Sequence, residues 1–184
     1  MTLLSLAEVQ DVRERIARAH QRAAAEFRDT FIPGTTPPTR HLELLASALI
    51  NEARGVRVNG PAYVIEDNLI TPVYANFRVE QSALFEYWMI VSEIAGSPSW
   101  RMTRVIATSD EYDEALKRMK SPQIVRALVG RFLPSIERDS VEVTVYTRAV
   151  EERIERRMLT LDASNEFDFH SRELIAEGRG GVPV

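Results

Sequence analysis

The clearest hydrophobic pattern in the chain is one apolar stripe near its start. Apolar side chains recur there at steps of three and four, as they do along one face of a helix. They are Val9, Val12, Ile16, Ala19, Ala23 and Phe27. Ser5 and Glu8 have the spacing of a capping box. The pattern predicts a long amphipathic helix over residues 6–28, whose stripe packs on a sheet or on a second copy of itself.

Shorter elements follow this helix. A row of leucines ending before Gly55 predicts a second helix over residues 40–53. Period-two stretches bounded by turn residues predict strands at 56–58, 62–66 and 69–79. Asn59-Gly60 is typical of a tight turn, and we expect it to join the first two of these strands.

Residues 82–96 carry two conflicting signals. Their aromatic and β-branched side chains favour a strand. However, Glu86 and Glu93 are seven residues apart and so lie on one line of a helix, whereas a strand would point them to opposite faces. Gly96 also stands where a helix stop belongs. We therefore predict a helix, with a polar sector narrow enough for enclosure in the fold or for contact with a partner.

The second half of the chain alternates between the two element types. The predicted strands are 100–107, 141–146 and 166–170, and the predicted helices are 108–119, 121–134, about 150–158 and 172–177. Residues 158–161 fit a helix end or a strand equally well. This irregular order predicts an α+β fold, with helices packed on a mostly antiparallel sheet. We expect one domain over residues 1–177 and a short tail at 178–184.

Composition narrows the class of protein. The chain has 184 residues, of which 45% are hydrophobic and 27% are charged, as in an ordinary globular domain. It contains no cysteine, which excludes a disulfide framework, a thiolate metal site and a cysteine nucleophile. No basic stretch precedes an apolar one at the start, and no uncharged apolar segment is long enough to span a bilayer. We expect a soluble, cytoplasmic protein that makes no membrane contact.

Charge argues against general binding to nucleic acid. The net charge is −4, which opposes the phosphate backbone. Arg153, Arg156 and Arg157 form the main basic group and predict a patch for an anion or an acidic partner. Glutamates interleave with these arginines, so a solvated face laced with ion pairs is the interpretation that we favour.

One cluster could support catalysis. Glu166, Asp168 and His170 share one face of a predicted strand, so they could hold a metal ion or pair an acid with a base. Side chains two apart on a strand are about 6.6–7 Å apart along the backbone, which opposes convergence on one ion. The same alternation is typical of an edge strand whose phenylalanines face the core, and we favour that interpretation. No familiar catalytic or nucleotide-binding motif occurs, and we expect no cofactor.

These observations favour a non-catalytic subunit that acts through self-association or assembly with a protein partner. The candidate interface comprises Val9, Ile16, His20, Ala23, Tyr87, Trp88 and Ile90. The first alternative is a small metal-dependent or acid–base enzyme centred on Glu166, Asp168 and His170. The second alternative is a module that binds a small ligand or nucleic acid.

Overall fold

The computed structural model of the chain describes residues 1–95, 103–128, 130–148 and 151–178. The elements follow the order β1 (Thr2–Leu3), α1 (Leu6–Thr30), α2 (Arg40–Glu52), β2 (Val56–Val58), β3 (Tyr63–Glu66), β4 (Leu69–Pro72), β5 (Phe77–Val79), α3 (Leu84–Ala95), β6 (Thr103–Ile106), α4 (Ser109–Arg118), β7 (Gln123–Ile124), β8 (Ser135–Glu137), β9 (Ser140–Arg148), β10 (Glu152–Leu161) and β11 (Phe167–Gly178). The α+β fold and the long N-terminal helix are confirmed.

The described residues divide into two compact units. The first, here called the sheet unit, takes in the described parts of residues 1–9, 98–162 and 167–184. The second, here called the helical unit, takes in residues 10–97 and 163–166. The expectation of one domain over residues 1–177 stays a prediction, and the tail beyond Gly178 lies outside the described residues.

The start of α1 confirms the predicted capping box. The Glu8 carboxylate accepts hydrogen bonds from the backbone N–H of Ser5 at 2.6 Å and from its hydroxyl at 2.7 Å. The backbone N–H of Glu8 donates in return to Ser5 Oγ at 3.2 Å. Hydrogen bonds to the charged form lower the pKa of Glu8. The helix thus begins where two free amide donors are satisfied.

The core of the helical unit contains an ion pair as well as apolar side chains. Arg15 on α1 and Glu86 on α3 form a salt bridge, and each side chain is only 7% exposed. The Glu86 carboxylate also accepts the backbone N–H groups of Arg54 at 3.1 Å and Gly55 at 3.0 Å. Glu86 therefore joins α3 both to α1 and to the chain that follows α2.

Two antiparallel ribbons complete the helical unit. β2 pairs with β5, and β3 pairs with β4. The predicted strand at 69–79 is divided, because a short 3-10 turn at Tyr74–Asn76 separates β4 from β5. The expected pairing across Asn59-Gly60 is wrong, since the partner of β2 is β5. Asp67 and Asn68, both with positive φ, form the tight turn that joins β3 to β4.

The sheet unit is built around β9 and β10. Its described residues form a seven-stranded sheet in the order β1-β8-β9-β10-β11-β7, with β6 also paired to β9. Every one of these pairings is antiparallel. The core on one face of this sheet comprises Ile106, Tyr112, Ala115, Met119, Tyr146, Ile154, Ile175 and Ala176. These side chains bring α4 onto the sheet.

Three predicted helices in the second half are wrong. The described residues of 121–134 form the short strand β7 and irregular chain, residues 152–161 form β10, and residues 167–178 form one long strand. The strand conformation is favoured over the helix because β10 is hydrogen-bonded along both of its sides, to β9 and to β11. The hydrophobic period of one segment does not reveal such pairing, because the partner residues lie on other strands. Residues 100–102 of the predicted strand at 100–107 lie outside the described residues.

Among the described residues, the helices are either too short or too polar to cross a lipid bilayer.

Candidate functional site

The first half of β11 stands out by its exposure. Five consecutive residues, Asp168 to Arg172, are exposed, although a half-buried strand normally alternates. On one side this segment pairs with β10. On the other side, in the part of the chain that the structure describes, β11 pairs with a strand only at Ala176 and Glu177. The segment Asp168–Arg172, here called the β11 edge, therefore leaves both faces and one row of backbone groups accessible.

A bulge at His170 sets the direction of these side chains. Phe169 pairs with Leu159 and Ser171 pairs with Met158, so His170 is one extra residue on β11. Arg172 pairs with Arg157, which is two residues from Leu159 and on the same face of β10. Phe169 and Arg172 consequently share a face, although they are three residues apart.

Phe169 contacts two guanidinium groups on that face. The Arg172 guanidinium is 4.5 Å from the ring centroid, and that of Arg157 is 5.7 Å from it. The ring is nevertheless 52% exposed. The sequence predicted an edge strand with a core-facing phenylalanine here, and that expectation is wrong for Phe169 because both faces of the β11 edge are exposed. Phe169, Arg157 and Arg172 therefore form an exposed cluster of one aromatic ring and two cations.

The structure separates the three residues of the predicted metal cluster. Asp168 and His170 lie in the exposed part of β11. Glu166 belongs to the helical unit, where it adds to the effect of burial in raising the pKa of Tyr74. No group of three or more histidine, aspartate or glutamate side chains placed to hold a metal ion occurs among the described residues.

The three arginines of the predicted anion patch are each matched with a carboxylate. Arg156 binds Glu142 through two hydrogen bonds of 2.6 Å, from Nε and from Nη2. Arg157 is paired with Glu155, and Arg153 with Glu151. In the strand Arg153 and Arg157 point to one face and Arg156 to the other. The common basic face that a helix would have given them is therefore absent from β10.

Six of the seven candidate interface residues lie inside the fold. Relative exposure is 9% or less for Val9, Ile16, Ala23, Tyr87, Trp88 and Ile90. His20 differs, because its side chain is 44% exposed and its Nε2 lies 2.9 Å from Glu93 on α3. Their participation in an interface stays a prediction, and the apolar stripe of α1 has its contacts within the chain.

A depression beside β8 and β9 has a volume of about 350 Å³. Its lining is mostly polar and includes Arg138, Asp139, Ser140 and Glu142. Glu142 is neutralised by Arg156. The depression thus lacks the apolar walls and convergent polar groups that typify small-ligand sites.

Comparison of the chain with protein-family models, with curated proteins and with solved structures gave no match.

Proposed function

We propose that this chain is a non-catalytic subunit that acts through protein association, and that the β11 edge is its docking surface. The observation that carries the proposal is the run of five exposed residues on a strand whose outer side is open among the described residues. An open edge is a template for a further strand, because its N–H and C=O groups can pair with another chain.

The occupant that we propose is a second copy of this chain. A straight strand cannot follow an edge that contains a bulge, because the extra residue shifts the register on one side of it. A second β11 edge carries its own bulge at the same residue. When the two strands run antiparallel with the bulges facing, both bend at the same point and the directions of their side chains remain matched.

This arrangement fixes the contacts between the copies. The two-fold axis passes between His170 and Ser171, so Phe169 lies opposite Arg172 of the second copy and Arg172 lies opposite its Phe169. The ring and the guanidinium already stack within one chain, so the pair is preorganised for the same contact across the interface.

The same register creates one unfavourable contact. Asp168 lies opposite Glu173 of the second copy, and like charges that face each other across a strand pair are destabilising. Arg126 forms a salt bridge with Glu173 within its own chain, which reduces this repulsion. Asp168 is therefore a position where a substitution should tighten association.

The test is light scattering after size exclusion, with protein concentrations across the micromolar range. It includes variants expected to weaken the dimer and one expected to strengthen it. Phe169→Ala and Arg172→Glu should each weaken the dimer, because each removes the ring–cation pair twice. Asp168→Lys should lower the dissociation constant about 2- to 30-fold, from roughly 0.2–1 kcal/mol at each of two symmetric contacts.

Asp29→Lys is the matched control, because it makes the same charge change at an exposed residue of α1. It should leave the dissociation constant unchanged. A chain that stays monomeric up to the highest soluble concentration, with Asp168→Lys monomeric as well, would contradict self-association through β11.

A further inference from the structure

The ribbon of β2 and β5 presents two arginines at one place. Arg57 and Arg78 are directly opposite each other, and both are exposed. The other face of the ribbon carries Val56 and Phe77, which are buried at 3% and 0% exposure. The ribbon is therefore amphipathic, and its outward face is occupied by two guanidinium groups from neighbouring strands.

The backbone pattern brings these arginines close. The N–H of Asn59 donates to the Asn76 carbonyl at 2.9 Å, and the N–H of Glu80 donates to the Gly55 carbonyl at 2.9 Å. Hydrogen-bonded and non-hydrogen-bonded residue pairs alternate along an antiparallel ribbon. Arg57 and Arg78 lie midway between the hydrogen-bonded pairs Asn59–Asn76 and Gly55–Glu80, so they form a hydrogen-bonded pair themselves. The Cα atoms of such a pair are about 5.5 Å apart. Two long side chains at this spacing can reach one common ligand atom.

Neither guanidinium has a carboxylate partner among the described residues. Arg78 Nη1 donates to the carbonyls of Ala75 at 3.0 Å and Phe77 at 2.8 Å, which leaves its Nε and Nη2 available. Arg57 makes no side-chain hydrogen bond or ion pair in the described part of the chain. Two cations that face each other without an anion destabilise a strand pair.

We propose that Arg57 and Arg78 form an oxyanion site that takes a phosphate group. A guanidinium presents its N–H donors in a planar fork that matches phosphate oxygens, and two forks from adjacent strands can hold one phosphate from two sides. The anion also removes the repulsion between the two cations. Arg57 and Arg78 belong to the helical unit, whereas the β11 edge belongs to the sheet unit.

Three other side chains share the outward face of the ribbon, since they are two residues from the arginines. Asn59 follows β2 and Asn76 precedes β5, so the two flank the arginine pair at one end of the ribbon, and Asn76 Nδ2 donates to the Pro61 carbonyl at 2.7 Å. Glu80 lies beyond Arg78 and is exposed. Its carboxylate opposes an anion, so Glu80→Gln should strengthen phosphate binding.

The experiment is thermal unfolding in inorganic phosphate and in sodium chloride at equal ionic strength. A ligand that binds only the folded state raises the melting temperature in proportion to the logarithm of its concentration above the dissociation constant. Phosphate also stabilises proteins by exclusion from their surface, to a similar extent in all variants. We therefore compare how far phosphate raises the melting temperature above its value in sodium chloride, for the wild type and for Arg57→Gln.

We expect millimolar phosphate to raise the melting temperature of the wild type beyond the effect of surface exclusion. Arg57→Gln should abolish this additional rise, and Glu80→Gln should enlarge it. The matched control is Arg28→Gln, an exposed arginine on α1, which should keep the full shift. A second arm replaces inorganic phosphate with O-phosphoserine. A response at lower concentration than with phosphate assigns the site to phosphorylated ligands, and the reverse order assigns it to free phosphate.

Equal phosphate shifts in wild type, Arg57→Gln and Arg28→Gln would overturn the proposal, because only surface exclusion would remain. Calorimetric titration of folded Arg57→Gln with phosphate gives an independent check. Heat of binding equal to that of the wild type would place the anion elsewhere and would overturn the proposal too.

Discussion

Replacing Glu86 is the most direct test of how the core of the helical unit is stabilised. Its carboxylate accepts two backbone N–H groups and faces the Arg15 guanidinium, in a place where both side chains are 7% exposed. Burial lowers the pKa of Arg15, because desolvation disfavours its charged form, while Asp11 acts in the opposite direction. Glu86 and Asp11 together supply the negative charge that makes a buried arginine tolerable, and Glu86 is the more deeply buried of the two carboxylates.

The change we choose is Glu86→Gln, which keeps the shape of the side chain. Glutamine offers one oxygen to three donors, and its own NH₂ group then faces a donor. Removing one partner of a buried ion pair costs about 3–5 kcal/mol of unfolding free energy. A domain of ordinary stability has about 5–15 kcal/mol to lose, so the variant should still fold.

The double variant Arg15→Met with Glu86→Gln should be more stable than Glu86→Gln alone. It leaves no uncompensated cation, and its remaining penalty is about 1–3 kcal/mol for one backbone N–H without an acceptor. A simple ion pair replaced by apolar residues would cost nothing or stabilise the fold. The loss of stability that remains in the double variant therefore measures the contribution of the Glu86 carboxylate as the acceptor of the backbone N–H groups of Arg54 and Gly55.

Urea unfolding followed by the fluorescence of buried Trp88, together with far-ultraviolet circular dichroism, measures these differences. The matched control is Glu14→Gln, the same substitution at an exposed residue of α1, which should stay within about 0.5 kcal/mol of wild type. A loss below about 1 kcal/mol for Glu86→Gln, or a double variant no more stable than the single one, would refute the reasoning.

Two further predictions follow from close contacts and from charge. Gly55→Ala should cost about 1–3 kcal/mol, because its Cβ would lie 2.3 Å from the Cβ of Ala83, and Ala83→Gly in the same chain should recover part of that loss in urea unfolding. For Glu8, whose pKa is lowered in the fold, the stabilisation of the α1 start is present above the unfolded-state pKa and is lost as pH falls through the folded-state value. The protection of the amides in the first turn of α1, relative to their intrinsic exchange rates at each pH, should therefore fall below about pH 4, and Glu8→Gln should remove this pH dependence.

Two of the five residues of the β11 edge, Asp168 and His170, were candidates from the sequence. Their alternation with phenylalanines favoured an edge strand with a solvated polar face, and metal binding or acid–base catalysis was the alternative. The exposure of Phe169 was missed, because alternation indicates two faces and does not tell which face is covered. The bulge at His170 could not be predicted either, since it appears only when β10 and β11 are paired.

The helices of the first half were determined by the sequence itself. α1 follows from one apolar stripe and a capping box, both of which act within a few residues. α3 follows from the spacing of Glu86 and Glu93, and the structure gives each a helical neighbour to bind, Arg15 and His20 on α1. Contacts three or four residues apart, or seven apart on one line, are encoded locally, so periodicity predicts them well.

The strand β10 and the second half of β11 were decided by tertiary structure, whereas β9 and the first half of β11 already followed from the period-two pattern of the sequence. The segment that contains Arg153, Ile154 and Arg157 fits a helix by local period, yet β10 satisfies its backbone on both sides through partners that lie elsewhere in the chain. Tertiary pairing also determines which strand is left at the edge. The exposure of the β11 edge and the meeting of Arg57 with Arg78 are therefore properties of the folded chain, because each depends on residues that only strand pairing brings together.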